Sequence, residues 1–420
     1  MKTNSESYFQ RFGFGERRIE PPPAADLGLV VVIPCFHEPD LISSLDALWQ
    51  CQRPRAAVEI VVVINSAENA PPEIKRQNER TLQSGTAWAA AHADSRLAFH
   101  FLNIPNLPPK HAGVGLARKI GMDEAVRRLG DVGRAEEGVI ACFDADCGCD
   151  LNYLAGLERY FQDHPLSPGC SIYFEHPVEG PMEEEIREAI IRYELHLRFC
   201  IQALRFAGFP HAYHTVGSSM AVRAGAYQRE GGMNKRQAGE DFYFLQKIIP
   251  RGNFGELLET RVLPSPRPSD RVPFGTGRAV RGFMESGRLP TYPWRAFLDL
   301  KTLFEAVPAM YPDRSFVPGP GVMGEFLQSQ KFPEALAEIR ANTAGESAFR
   351  KRFFRWFDAF RVMKFVHHAR DDSYGPGEID REPRLLLAAL GMNPDRLATL
   401  SVRDLLMRFR ELDRAGTFSR

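Results

Sequence analysis

The stretch GVIACFDADC (138–147) decides the fold, because it is an apolar run that ends abruptly in two carboxylates. A short run without polar residues is typical of a buried parallel strand. Asp144 and Asp146 stand at its end, and side chains that alternate along an extended strand place this pair on one side of the backbone. The sequence therefore predicts a central strand whose carboxyl end carries an acidic site.

Apolar strands and helical segments alternate upstream of this stretch. The strand candidates are LGLVVVIP (27–34), VEIVVVI (58–64) and LAFHFLNI (97–104), and helical segments follow them at 40–50, 72–92 and 114–129. This alternation predicts βαβ units in an α/β fold, with a doubly wound, mostly parallel sheet flanked by helices. Sheets of this kind bind ligands beyond the carboxyl ends of their strands. The polar residues after each strand are therefore the candidate site.

The 420 residues divide into four segments by composition. These are a polar N-terminal arm (1–27), an α/β domain (28–264), a Pro-, Gly- and Arg-rich loop or linker (265–293), and a helical C-terminal region (294–420). A loop as long as the third segment is usually functional. We therefore expect one large domain with a helical appendage.

Composition excludes several classes of protein. Lys and Arg number 53 and so do Asp and Glu, whereas a nucleic-acid-binding protein needs a net positive surface. No apolar run approaches the roughly 20 residues of a membrane span, and the N-terminus lacks the apolar core of a signal peptide. We expect a cytoplasmic protein without a nucleic-acid partner. The seven cysteines are odd in number and lack the CxxC spacing of zinc sites, which favours reduced structural thiols.

Four patches carry the candidate chemistry. In chain order they are IPCFHEPD (33–40), NLPPKHAGVGLARKIGMDEA (106–125), FDADC (143–147), and VGSSMAVRAGAYQREGGM followed by AGEDF (216–242). Together they resemble a GT-A-fold glycosyltransferase of family 2 over roughly residues 28–264. The resemblance implies a GT-A-type sheet and a metal-dependent, inverting transfer of sugar from a nucleotide-diphosphate donor to an acceptor hydroxyl.

The two Asp residues of FDADC are the candidate metal ligands. Carboxylate oxygens suit Mg²⁺ or Mn²⁺, which bind one or two carboxylates together with substrate phosphates. The resemblance implies that Asp146 binds the metal and that Asp144 lies nearer the ribose while also serving the metal. A solvated turn at a strand end is the alternative interpretation.

The loops after the first two strands are the candidate site for the nucleotide. The resemblance implies that Pro34, Phe36 and Glu38 contact the base and ribose. Glu38 also lies near a predicted helix start, where the helix dipole favours a carboxylate, and both roles can hold together. At the second strand Asn65 stands where the family usually has an acidic pair. An amide can still pair with a pyrimidine edge, so a UDP-sugar is the favoured donor while the base stays open.

The segment KHAGVGLARKIG (110–121) begins a helix with small and basic residues. Gly113 and Gly115 permit close approach of the backbone, and a helix N-terminus suits phosphate. Lys110 and Arg118 are candidate donor-binding residues by the resemblance. An exposed basic helix face is the equally weighted alternative.

The pair Glu240-Asp241 is the candidate catalytic pair. An inverting transfer needs one carboxylate to take the proton of the acceptor hydroxyl. The resemblance implies that Asp241 is this base and that Glu240 orients the acceptor or the base. A plain acidic start to a helix is the alternative.

The loop after the catalytic pair contains Arg267 and Arg271, which are candidate ligands for the diphosphate. The family often has a His metal ligand or a Gln-Arg-Trp motif near this point, and this loop has neither. The missing motif, together with the missing spans, makes a processive membrane synthase the less favoured class.

The acceptor has no recognisable pattern, so a carbohydrate and a lipid-linked acceptor both stay open, as does the oligomeric state. A basic aromatic segment at 349–370 predicts one amphipathic helix, with Phe349, Phe353, Trp356, Phe360, Met363 and His367 on one stripe. A docked core helix is favoured over peripheral membrane contact. A sugar nucleotidyltransferase and a non-catalytic relative are the alternative functions.

Overall fold

The structure is a computed structural model that describes residues 4–269, 275–313 and 315–416. Over those ranges the strands are β1 (Leu27–Cys35), β2 (Ala57–Ala67), β3 (Leu97–Leu107), β4 (Val139–Cys142), β5 (Gly148–Cys149), β6 (Gly169–Phe174), β7 (Met220–Arg223), β8 (Gly255–Leu263), β9 (Pro290–Thr291) and β10 (Gly377–Glu378). The first eight form one sheet, and β9 pairs with β10.

Helices separate most of these strands and make up almost all of the C-terminal part. They are α1 (Asn4–Arg11), α2 (Leu41–Trp49), α3 (Pro72–Ala91), α4 (Val114–Asp131), α5 (Tyr153–Asp163), α6 (Glu184–Phe206), α7 (Ala224–Arg229), α8 (Glu240–Ile248), α9 (Thr276–Ser286), α10 (Trp294–Met310), α11 (Val322–Ser329), α12 (Phe332–Ala341), α13 (Glu346–Trp356), α14 (Ala359–His368), α15 (Glu382–Ala389), α16 (Pro394–Ala398) and α17 (Val402–Arg414).

The sheet has the strand order β3-β2-β1-β4-β7-β6-β8-β5. The strands β3, β2, β1 and β4 run parallel, with Val32 of β1 opposite Val61 of β2 on one side and Cys142 of β4 on the other. Strand β7 lies antiparallel between β4 and β6. The predicted α/β sheet flanked by helices, with a helical C-terminal region, is confirmed, and β7 makes the sheet mixed beyond β4.

The fourth strand ends earlier than the sequence predicts. Val139–Cys142 is extended, and the backbone N–H of Phe143 makes one further hydrogen bond, 3.0 Å from the carbonyl of Val32. The chain then turns, with the N–H of Cys147 3.1 Å from the carbonyl of Asp144. Strand alternation therefore does not place Asp144 and Asp146, and their directions are set by this turn.

Internal contacts group the described chain into two compact units. The first holds residues 4–177, 215–266 and Gly275, and the second holds 178–214, 267–269 and the described residues from 276 onward. The eight-stranded sheet lies in the first unit, whereas α6 and the helices from α9 onward lie in the second. The boundaries predicted at 28, 264 and 293 stay predictions.

The N-terminal segment docks through a helix on the first unit. Tyr8 of α1 is 3% exposed, and its hydroxyl donates to the buried carboxylate of Asp123 at 2.5 Å. The hydroxyl of Tyr227 donates to the same oxygen at 2.7 Å, and the Nζ of Lys119 lies 3.2 Å from the carboxylate. The predicted polar arm thus contains a helix that a buried polar cluster anchors.

The second unit contains a buried network of ion pairs between α6 and α17. The guanidinium of Arg198 pairs with Glu194 at 2.8 Å and also with Asp413. His214 Nε2 lies 3.1 Å from Asp413. Burial would raise the pKa of Asp413, but His214 and Arg198 outweigh it and hold that pKa far below its ordinary value. This network ties the last helix to the longest one.

The basic aromatic segment near residue 355 forms two helices, so the prediction of one continuous stripe is wrong. Helix α13 ends at Trp356, and Asp358 caps the start of α14 by accepting the N–H of Arg361 at 3.0 Å. Because of this break, the residues of α14 do not continue the buried face of α13. Phe349 and Phe353 are buried as predicted, whereas Trp356, Phe360, Met363 and His367 are partly exposed. Within the described ranges, no helix combines the length and apolar character needed to span a bilayer.

Candidate active site

Arg118 joins the two acidic patches that the sequence singles out. It lies in α4, which packs against β1, and its side chain is 4% exposed. One guanidinium nitrogen donates to Asp144 Oδ1 at 2.5 Å, and the other pairs with the carboxylate of Glu240. The structure therefore brings together the carboxyl end of β4 and the start of α8, which are far apart in the chain.

This placement is not that of an exposed basic face, because Arg118 is buried, and the predicted donor-binding role of Arg118 stays a prediction. Both of its terminal nitrogens contact carboxylates of the protein, and its Nε has no hydrogen-bond partner among the described residues. A guanidinium arranged in this way fixes the two carboxylates relative to each other.

Gly217 lets Arg118 reach this position. A Cβ built at Gly217 would lie 2.6 Å from both terminal guanidinium nitrogens of Arg118. Any larger residue would therefore displace the guanidinium. Gly217 lies in the sequence patch VGSS. Its contact with Arg118 cannot be recognised from the amino-acid sequence, so the sequence predicts no role for this glycine.

Asp241 lies beside the same cluster. Gly239, with a φ of 69°, turns the chain into α8, and Glu240 and Asp241 form the first turn of that helix. Asp241 Oδ1 accepts the N–H of Phe242 at 2.7 Å. Burial raises the pKa of Asp241 above its ordinary value of 3.8, although Arg118 opposes the rise.

The start of α4 is covered by the protein's own backbone. The N–H of Gly115 donates to the carbonyl of Arg236 at 3.2 Å, and a Cβ at Gly115 would meet that oxygen at 2.3 Å. A Cβ at Gly113 would lie 2.7 Å from the Cα of Gln237. The close approach predicted at these glycines is thus made by residues 234–237. Lys110 is exposed at the same end.

The predicted nucleotide residues lie at the ends of β1 and β2. Pro34 and Phe36 are partly exposed. Glu38 is fully buried, and its Oε1 accepts the N–H of Asp40 at 3.0 Å, just before α2 begins. Asn65 is 2% exposed, and its Nδ2 lies 3.4 Å from the carbonyl of Gly113.

A second amide that the sequence pattern did not indicate holds these two loops together. Asn78 of α3 donates from Nδ2 to the carbonyl of Asn65 at 3.0 Å, and its Oδ1 accepts the N–H of His37 at 2.9 Å. The loop after β1 is therefore tied to the end of β2. Asn78 lies within a polar helix, where no pattern distinguishes it.

The Arg-rich loop is described only in part. Arg267 is partly exposed and groups with the second unit. Arg271 lies outside the described residues. The predicted role of Arg267 and Arg271 at a diphosphate stays a prediction.

The acidic turn after β4 offers two carboxylates to a divalent cation. The remaining ligands of such a cation would be oxygens of a bound phosphate. Asp144 and Asp146 are both partly exposed, and Asp144 is held in place by Arg118. In the described part of the chain, no three or more His, Cys, Asp or Glu side chains converge as a metal site. Two carboxylates completed by phosphate oxygens are a usual donor set for Mg²⁺ or Mn²⁺.

Several solved structures of glycosyltransferases are similar to this chain. Staphylococcus aureus TarS 1–349 has a TM-score of 0.39 and 11% identity, covering 94% of this chain and 93% of that one. Its complex with UDP-GlcNAc has 13% identity over the same shares with a TM-score of 0.39. The mannosyltransferase PcManGT from Pyrobaculum calidifontis, in complex with GDP-Man and Mn²⁺, has a TM-score of 0.34 and 15% identity, covering 98% of this chain and 92% of that one. No protein-family model and no curated protein matches the sequence.

Proposed function

We propose that the protein is a metal-dependent, inverting glycosyltransferase that moves a sugar from a nucleotide-diphosphate donor to an acceptor hydroxyl. The observation that carries the proposal is the convergence of Asp144, Glu240 and Asp241 around the buried Arg118. A cluster of acids in which one pKa is raised by burial is typical of catalytic sites rather than of structural turns. It assembles the carboxylates needed for a cation and for a general base in one place.

Asp146 and Asp144 are the residues that would hold Mg²⁺ or Mn²⁺. Such an ion, when bound, supplies positive charge to the diphosphate that leaves with the nucleoside. Arg118 holds Asp144 through Oδ1, so the protein fixes the orientation of this carboxylate before any donor binds. A carboxylate that is oriented in advance loses less conformational freedom on binding.

Asp241 is the proposed general base. It would take the proton of the acceptor hydroxyl as that oxygen attacks the anomeric carbon. Burial raises its pKa, which makes it a better proton acceptor than an ordinary aspartate. Glu240 is 1% exposed and pairs with Arg118, so we assign it a positioning role rather than contact with the acceptor.

The loops after β1 and β2 are the proposed nucleotide site. Phe36 offers a partly exposed ring for the base, and Asn65 offers an amide near the end of the neighbouring strand. Buried Glu38 already accepts a backbone N–H within its own loop, so its main effect is to shape that loop. A UDP-sugar is the donor we propose, and Lys110, Arg267 and Arg271 are the proposed phosphate contacts.

A thermal-shift titration with nucleoside diphosphates and nucleotide sugars tests this function. A ligand that binds only the folded state raises Tm, by an amount that grows with the ratio of ligand concentration to Kd. We expect a rise with UDP or a UDP-sugar that requires Mn²⁺ or Mg²⁺. Prolonged incubation should also release free sugar and nucleoside diphosphate slowly by hydrolysis.

The matched pair of variants is Asp146→Asn and Asp163→Asn, since Asp163 ends α5 and no role in the site is proposed for it. Asp146→Asn should lose the metal-dependent shift, whereas Asp163→Asn should keep it. If no nucleoside diphosphate or nucleotide sugar shifts the Tm of the wild-type protein, the proposal is wrong. Conversion of the nucleotide sugar with added pyrophosphate into a nucleoside triphosphate and a sugar phosphate would instead indicate a nucleotidyltransferase.

A further inference from the structure

Two cysteines lie in contact just beyond the acidic turn. The Sγ atoms of Cys51 and Cys149 are 3.6 Å apart, and both thiols are free. Cys51 follows α2, and Cys149 ends the short strand β5. The two segments are also joined by a backbone hydrogen bond of 2.7 Å from Gln52 to Leu151. A disulfide would shorten the separation of the two sulfurs from 3.6 Å to about 2.05 Å.

The surroundings of Cys51 favour a thiolate. Its sulfur lies beside the start of α5, 3.7 Å from the carbonyl oxygen of Asp150, and Arg53 adds positive charge nearby. The contact with Cys149 is the largest influence, and with the charge of Arg53 it lowers the pKa of Cys51 despite its burial. Thiols at helix N-termini with a second thiol beside them are the usual reactive cysteines.

The two residues differ in exposure to solvent. Cys51 is 3% exposed, whereas Cys149 is partly exposed. Cys149 is therefore the residue that a small oxidant can reach, although the contact with Cys51 and burial raise its pKa, and Cys51 lies beside it as the thiol that attacks second. This is the arrangement of an attacked thiol with an adjacent resolving thiol.

We propose that Cys51 and Cys149 form a redox-active dithiol that closes to an intramolecular disulfide on exposure to a low-molecular-weight disulfide. Cys149 exchanges with the oxidant, which forms a mixed disulfide and releases one thiol. The Cys51 thiolate then attacks the Cys149 sulfur, which breaks the mixed disulfide and releases the second thiol. Overall two protein thiols are oxidised, one disulfide is reduced to two thiols, and the two protons pass to the leaving thiolates.

The bond would join segments 98 positions apart in the chain. It would hold β5, which begins two residues after Asp146, against the end of α2. Closing a loop of this length restricts the unfolded chain, so the oxidised protein should melt several degrees higher than the reduced one. This inference stands on the thiol geometry and does not depend on the proposed transferase activity.

The test incubates the folded full-length protein with oxidised glutathione, blocks the remaining thiols by alkylation and analyses peptides by mass spectrometry. We expect a linked Cys51–Cys149 peptide, loss of two hydrogens from the intact mass, and full reversal by dithiothreitol. In Cys51→Ser the resolving thiol is missing, so a glutathione adduct should accumulate on Cys149. In Cys149→Ser neither the link nor an adduct on Cys51 should form.

Cys200→Ser is the matched control, because Cys200 is the other partly exposed cysteine and lies in the second unit. It should form the Cys51–Cys149 link as the wild-type protein does. The wild-type peptide map decides the question even if a serine variant fails to fold. A stable glutathione adduct on Cys149 without the link, or no reaction at this pair before the protein unfolds, would overturn the proposal.

Discussion

Arg118 and Glu240 form an ion pair in the interior of the first unit, although 122 positions separate them in the chain. The side chains are 4% and 2% exposed. Two charges removed from water in this way depend on each other, because neither can be solvated if the other is lost. Arg118 also pairs with Asp144 through its second guanidinium nitrogen. The positions of both carboxylates therefore depend on this one residue of α4.

Replacing Arg118 by methionine should strongly destabilise the first unit. Buried Glu240 would lose its partner, and breaking a buried pair from one side costs about 3–5 kcal/mol. The measurement is the urea dependence of unfolding. Arg17→Met is the control, since its pair with Asp131 has side chains that are 41% and 33% exposed, and exposed pairs contribute about 0–1 kcal/mol. Equal losses in the two variants would contradict the assignment.

Gly217→Ala should impair the site more than the fold. The added Cβ would meet the guanidinium of Arg118 at 2.6 Å and push it away from Asp144 and Glu240. We expect weaker metal-dependent donor binding in a calorimetric titration. Gly130→Ala is the matched control, because no described residue comes within 4 Å of its Cβ position in α4, and alanine there should stabilise the protein by about 0.4–1 kcal/mol. Unchanged donor binding in Gly217→Ala would show that Arg118 tolerates displacement.

Asp241→Asn should abolish transfer while leaving donor binding intact. The amide keeps the shape and its oxygen can still accept the N–H of Phe242, but it cannot take a proton. Loss of a general base lowers kcat by roughly 10²–10⁴-fold. The readouts are turnover and the donor-induced thermal shift. Glu259→Gln, the corresponding acid-to-amide change at an exposed residue, should change neither turnover nor the thermal shift. Retained turnover in folded Asp241→Asn would rule out Asp241 as the general base.

Asp413→Asn should destabilise the second unit in a pH-dependent way. The partners of Asp413 lower its folded pKa below the ordinary 3.8, so the ionised carboxylate contributes stability fully above pH 3.8. That contribution falls as the pH drops toward the folded pKa. The difference in Tm between wild type and Asp413→Asn should therefore be large at pH 7 and shrink between pH 4 and pH 3. Asp404→Asn, which removes the charge from an exposed capping contact of the same helix but keeps an accepting oxygen, should cost at most about 1 kcal/mol at pH 7. A difference for Asp413→Asn that stays constant down to pH 3 would contradict the linkage.

Local patterns were sufficient to predict the first three strands of the α/β part and the helices that follow them. The apolar runs that predict β1, β2 and β3 are strands in the structure, within three residues at each end. Burial on both faces requires such runs to be apolar, so the pattern and the structure have the same cause. The acidic pair after β4 and the acidic start of α8 could be found in the same way.

The partners within the site could be known only from the tertiary structure. Arg118 pairs with Asp144 and Glu240 because α4 packs on the sheet at that depth, and Gly217 leaves room for its guanidinium. The contact between Cys51 and Cys149 depends likewise on how α2 meets the turn before α5. Hydrophobic periodicity reports which face of an element is buried, but it contains no information about which distant side chain lies opposite. The sequence by itself determined the elements and the acidic patches, and only the packing of those elements decided which charges and thiols meet.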